Sequence, residues 1–89
     1  MTFKQVYKNE QLRIFNLLLP KGELLPDHKT ATEAFLIVIK GKAQISFSDR
    51  KEELFDGKAL VIPANDTHNV EAYDDFIAYL IMGSGKMRD

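Results

Sequence analysis

The sequence predicts an all-β domain, a sandwich or small barrel of about eight or nine short strands with little or no helix. Three observations carry the prediction. Apolar runs of roughly four to seven residues recur along the chain, separated by glycine, proline, asparagine and aspartate. One of them, Ala43–Phe47, alternates strictly, with Ala43, Ile45 and Phe47 set against Gln44 and Ser46, which is the period of a strand with one wet face. No stretch makes a convincing helix: across residues 10–19 the apolar side chains would cover nearly the whole circumference, which a surface helix cannot accommodate.

In chain order, Phe3 and Val6 begin one strand and Leu12–Leu19 forms a second, with the turn-like Lys8-Asn9-Glu10 between them and Pro20 and Gly22 stopping the second. Little regular structure is expected from Pro20 to Thr32. Residues 34–39 are apolar on both faces, so cover on both sides is expected, and residues 14–19 share that excess. A homodimer is the simplest source of that cover, with loops of the same chain as the alternative. Lys40-Gly41-Lys42 reads as a hairpin turn with glycine supplying positive φ. Glu52-Glu53-Leu54-Phe55 returns the chain to the turn Asp56-Gly57. The strand Ala59–Ile62 then ends at Pro63, which has no donor to continue a ladder. Ala64-Asn65-Asp66-Thr67 turns the chain and delivers His68 to the next strand, and residues 76–82 form the last one. A single domain over residues 1–89 is expected, with its core in about 12–82 and a frayed tail over 83–89.

Eighty-nine residues bury only roughly 60 to 65% of their potential surface, so the core must be efficient or a partner must help to close it. The formal net charge of −1 supplies no basic field for nucleic acid or acidic lipid, and no basic stripe carries interleaved aromatics. With no cysteine there are neither disulfides nor thiolate ligands, which fits a reducing compartment; a cytoplasmic location is expected, with no signal peptide and no membrane partner.

Chemistry concentrates in two glycine-led loops that hold the chain's two histidines, His28 and His68. The first loop runs from Gly22 through His28, Thr30 and Glu33 to Gly41, and the second from Gly57 through Pro63 and Asn65 to His68 and Ala72. In order and spacing these segments resemble the two sequence motifs of the cupins, and the resemblance covers about residues 12–82. It implies a double-stranded β-helix, a jelly-roll barrel of the cupin kind. A metal-binding cupin would draw ligands from the first histidine, the second histidine, the glutamate and the histidine of the second motif. Here those positions hold His28, Thr30, Ala34 and His68, so two of four ligands are missing. Asn65 and Ala72 also depart from the second motif, which has glycine and asparagine there.

Two imidazoles hold a metal such as Zn, Ni, Fe or Mn only weakly, because stable sites use three or more protein ligands. Glu33 has the right chemistry but the wrong parity, since the neighbour of an inward strand position points outward unless a bulge turns it. The leading expectation is therefore a small-molecule-binding or sensing protein without a tightly bound metal. Its expected pocket comprises His28, Thr30, Leu36, Val38, Leu60, Ile62, His68 and Tyr79, with no residue assigned a catalytic role. Two alternatives stand beside it. One is a metal-dependent enzyme of the dioxygenase or isomerase type acting on a small polar substrate, which an inward Glu33 would favour. The other is a non-catalytic, partner-binding dimer with a filled interior. Phe35, Ile37 and Ile39 are assigned to dimer or inter-sheet packing, and Asn16 and Gln44 to solvent-facing positions.

Overall fold

The structure, a computed structural model, describes residues 1–83. These form nine strands: β1 (Thr2–Lys8), β2 (Leu12–Leu19), β3 (Leu24–His28), β4 (Ala34–Lys40), β5 (Ala43–Phe47), β6 (Lys51–Leu54), β7 (Ala59–Ile62), β8 (His68–Ala72) and β9 (Phe76–Gly83). None of the described residues is helical. Two antiparallel sheets face each other, one of five strands in the order β1-β2-β9-β4-β7 and one of four in the order β3-β8-β5-β6. Each sheet joins strands far apart in the chain, β2 and β4 both pairing with β9 and β3 and β5 both pairing with β8. Local hairpins alone cannot build such an arrangement.

Strand alternation fills the space between the sheets. In β9 the side chains of Phe76, Ala78, Leu80 and Met82 are buried, and in β4 those of Ala34, Leu36 and Val38. Ala43, Ile45 and Phe47 meet them from the other sheet, together with Val70 and Ala72. Each large aliphatic or aromatic side chain buried in this way contributes about 1.5–3 kcal/mol.

The structure differs from the sequence reading at two places and leaves the cover expected for the apolar strands to come from outside the described chain. The stretch expected to be irregular contains β3, whose Pro26 is tolerated because β3 is an edge strand and its register with β8 shifts between Leu25 and His28. Gly83, assigned to a frayed tail, closes β9 opposite Leu12; residues 84–89 lie outside the described residues. The outer face of the five-stranded sheet has no cover from the described part of the chain: Phe35 is 41% exposed, and Ile39, Val61 and Leu18 are exposed as well. Cross-strand register lines up Tyr7, Ile14, Ile81, Phe35 and Val61 into one apolar row across this face.

One end of the sandwich is closed by converging turns. Gly41 donates its N–H to Asp56 Oδ1 at 2.7 Å, and Tyr73 and Asp74 donate theirs to the Lys42 carbonyl at 2.8 and 3.2 Å. Lys21 N–H is taken up by Asp75 Oδ1 at 2.9 Å. Both histidines lie at the opposite end, which these turns leave open.

Gly41 is the tightest point of the closed end. Its φ is 103°, and a Cβ there would run into the carbonyl oxygen of Asp75. Gly22 and Gly57 also have positive φ, but a Cβ at either meets open space. Urea unfolding is expected to show Gly41→Ala costing about 3 kcal/mol or more, against about 1–2 kcal/mol for Gly22→Ala or Gly57→Ala. Equal losses at the three positions would mean that the contact with Asp75 is not what constrains Gly41.

Candidate functional site

The open end is built by the β7–β8 turn and the strand opposite it. Pro63 ends β7, and Asn65 turns the chain with φ 61°, a left-handed conformation that asparagine tolerates better than most residues. Asn65 therefore takes the glycine position of the second motif with the backbone glycine would adopt. Its N–H donates to the Thr30 carbonyl at 2.7 Å, tying the β3–β4 loop to the β7–β8 turn. His68 then opens β8 directly across from His28 at the end of β3.

The two rings pack edge to face, with centroids 4.3 Å apart and planes at 61°. Each is held by the carbonyl two residues before it: His68 Nδ1 lies 2.7 Å from the Asp66 oxygen, and His28 Nδ1 lies 2.9 Å from that of Pro26. A carbonyl only accepts, so each Nδ1 carries a proton, and a ring in its neutral form keeps its Nε2 lone pair for another partner. Among the described residues neither Nε2 is hydrogen-bonded. His68 is buried and His28 half-buried. Burial pushes the His68 pKa below its ordinary value of 6.5, and the neighbouring His28 lowers it further, while the Asp66 carbonyl opposes the change.

Further contacts position His68. Phe47 packs against the ring at a centroid distance of 5.7 Å, and the Arg50 guanidinium lies 3.8 Å above the Phe47 ring centroid. Arg50 also pairs with Asp66 at 3.2 Å, so one side chain supports both the ring beneath His68 and the turn whose carbonyl holds it.

Between the sheets at this end is a cavity of about 400 Å³. Its floor and walls come from Phe15 and Leu17 of β2, Ala34 and Leu36 of β4, Ile62 of β7, Val70 of β8, and Leu80 and Met82 of β9. His28, His68, Leu25 and the loop residues Thr30, Ala31 and Thr32 complete it, with Arg13, Phe3 and Met1 at its rim. Of the residues read from sequence as a pocket, His28, Thr30, Leu36, Ile62 and His68 lie on this wall. Val38 does not line it: it shares the inward parity but lies nearer the closed end, buried in the core. Leu60 packs against that core and does not reach the cavity either. Tyr79 falls between the inward Ala78 and Leu80 of β9, so it points to the outer face, 37% exposed. Asn16 and Gln44 have outward parity on β2 and β5; their amides donate to the Ala78 carbonyl at 3.4 Å and to Glu53 at 3.1 Å.

Sequence reasoning passed over Arg13, Phe15, Leu25, Thr32 and Val70. For Arg13 and Phe15 the signal was present: counting back by twos from Leu19 sets 13, 15 and 17 on one face. The apolar character of the whole segment 12–19 obscured which face was inward.

These residues do not fit a resident metal. Thr30 commits its hydroxyl to the Thr32 carbonyl at 2.7 Å, Ala34 has no donor, and Glu33 is exposed beside the inward Ala34. Among the described residues no three His, Asp or Glu side chains come together as a ligand set. Two imidazoles alone fall short of the three or more protein ligands of stable sites.

A family model described as a cupin domain matches residues 15–83. The crystal structure of a conserved protein of unknown function from Streptococcus pyogenes superposes with a TM-score of 0.85 at 21% identity, covering 97% of this chain and 75% of that one. That of an RmlC-like cupin family protein with a double-stranded β-helix fold from Methanocaldococcus jannaschii does so with a TM-score of 0.84 at 20% identity, covering 92% and 78%. In sequence, that same archaeal protein, described as uncharacterized, is 27% identical over 63 residues, 70% of this chain and 54% of the relative. The chain thus spans about half the length of the curated relative it matches.

The lowered pKa of His68 makes stability depend on pH. The unfolded chain takes up the proton first as the pH falls, so this group's contribution is complete above about pH 6.5 and is lost progressively below it, toward the folded pKa. The melting temperature is expected to fall between pH 7.5 and 5.5, with a shallower fall in His68→Gln. An NMR titration of the His68 ring protons with a midpoint at or above 6.5 would contradict this.

Proposed function

The chain belongs to the cupin-domain family, and on that premise we propose that it binds a small molecule in the cavity at the His28–His68 end of its barrel, without a resident metal. The observation that carries the reading is the cavity itself. At about 400 Å³ it falls within the roughly 300–1,000 Å³ of small-molecule sites, and like them it pairs apolar walls with a few fixed polar groups. The carbonyl-locked imidazoles are pre-oriented acceptors, able to take a hydroxyl or N–H of a ligand without first being ordered.

Titration with the neutral probe phenylacetamide, followed by two-dimensional NMR, tests the reading. Shifts are expected at Leu25, Leu36, His68 and Val70. They should disappear in Ala34→Leu, which adds bulk at the cavity wall at a stability cost of about 1–3 kcal/mol. Shifts confined to the outer sheet face, or none at all, would sink it.

We further infer that two copies associate through the outer face of the five-stranded sheet. What supports this is the apolar row through Ile14, Ile81, Phe35 and Val61, in which the described part of the chain leaves Phe35 and Val61 exposed and Ile14 and Ile81 half-buried. A two-fold dimer lets one such face cover the other. Sedimentation velocity is expected to report a dimer that Phe35→Lys converts to a folded monomer; a monomeric wild-type protein at micromolar concentration would rule this out.

A further inference from the structure

Arg13 is a cation on the rim of a cavity whose walls are mostly carbon. Alternation along β2 puts it there, on the inward face shared with Leu17 and Leu19, which are buried in the core. Its guanidinium is held in place: Nε and Nη2 donate to the Gly83 carbonyl at 3.2 and 3.1 Å, and Cζ lies 5.6 Å from the Phe15 ring centroid. Two of its five N–H groups are thereby used and three remain. Among the described residues no carboxylate lies within ion-pair distance of it. A half-buried charge with no counter-ion among the described residues is costly, and tethering the end of β9 would need only a neutral donor.

A second unsatisfied group stands close by. Thr32 Oγ1 is buried without a hydrogen-bond partner among the described residues. Its side chain packs beside Gly83, whose carbonyl Arg13 holds, within 3.9 Å of where a Cβ on that glycine would sit. Arg13 thus brings three unused N–H donors to one side of the cavity, while Thr32 turns its Cβ and methyl toward Gly83 and keeps its hydroxyl buried. The histidines have the opposite character: with each Nδ1 proton spent on a carbonyl, their remaining capacity is the Nε2 lone pairs, which repel an anion and accept from a donor.

We infer that the cavity receives a small monocarboxylate with an aliphatic or aromatic body, its carboxylate docked on the free N–H groups of Arg13 beside Thr32 and its body among Phe15, Leu36 and Leu80. The inference rests on the small-molecule reading above and adds the ligand's charge and its direction in the cavity. A planar guanidinium matches the two oxygens of a carboxylate. A phosphate is a poorer match, because Arg13 is the sole Lys or Arg among the described lining residues and the ammonium of Met1 at the rim is already paired with Glu23 at 2.8 Å.

Calorimetric titration near pH 8 with phenylacetate and hexanoate, each against its neutral amide, tests the assignment on the wild type, Arg13→Lys and Arg13→Gln. The acids are expected to bind the wild type about tenfold more tightly than the amides. That preference should shrink in Arg13→Lys and vanish in Arg13→Gln. Equal binding of acid and amide to the wild type overturns the inference while leaving the small-molecule reading in place, and binding of neither overturns both. A preference that persists in folded Arg13→Gln assigns the anion to another group and also overturns it. The wild-type comparison decides the matter even where Arg13→Gln folds poorly.

Discussion

Strand β9 is the constraint on which the rest of this molecule depends. It lies in the larger sheet between β2 and β4, hydrogen-bonded along both edges, and its side chains alternate between the core and the outer face. Phe76, Ala78, Leu80 and Met82 supply the inward surface against which the smaller sheet packs. The larger sheet is therefore incomplete until the last strand of the described chain has been inserted between two earlier ones. Such non-local pairing costs loop-closure entropy before contacts compensate it, and the converging turns around Gly41 and Asp75 help to bring distant segments together.

The asymmetry of the barrel's two ends follows from that packing. At one end, turns hydrogen-bond to one another and close over Phe76, Val38 and Leu54. At the other, inward positions are occupied by small or polar residues such as Ala34, Thr32 and the histidine pair, and a cavity is left between the sheets. Its polar groups are fixed mostly by backbone carbonyls rather than by each other: those of Asp66 and Pro26, two residues away, hold the imidazoles, and that of Gly83, remote in the chain, holds the guanidinium. Anchoring by carbonyls leaves Nε2 of both rings and three N–H groups of Arg13 without protein partners among the described residues. That suits recognition of a ligand better than it suits a metal, for which Thr30, Ala34 and the exposed Glu33 supply no further donors.

A good part of this was legible in the sequence. The alternation in Ala43–Phe47, the breakers around each strand and the spacing of the two histidine loops were enough for the all-β fold and the family resemblance. The outward place of Glu33 followed from parity alone. Tyr79 went astray because residues 76–82 are apolar on both faces, so side-chain type could not say which parity was inward. Arg13 was missed for the same reason in Leu12–Leu19, and β3 was missed because Pro26 argues against a strand unless that strand is known to lie at an edge.

The sequence by itself determined local properties: where strands start and stop, which turns need glycine, and which residue types sit two apart. Depth along the barrel axis was decided only by the tertiary structure. Val38 and Leu36 share one parity and one chemistry, yet one is sealed in the core and the other lines a cavity, because the neighbours that separate those fates come from strands remote in the chain. The same holds for Thr32 and Arg13, nineteen positions apart, which meet at Gly83 only once β9 has been placed between β2 and β4. Periodicity reports which face a side chain takes, and only the assembled sheets decide what lies against that face.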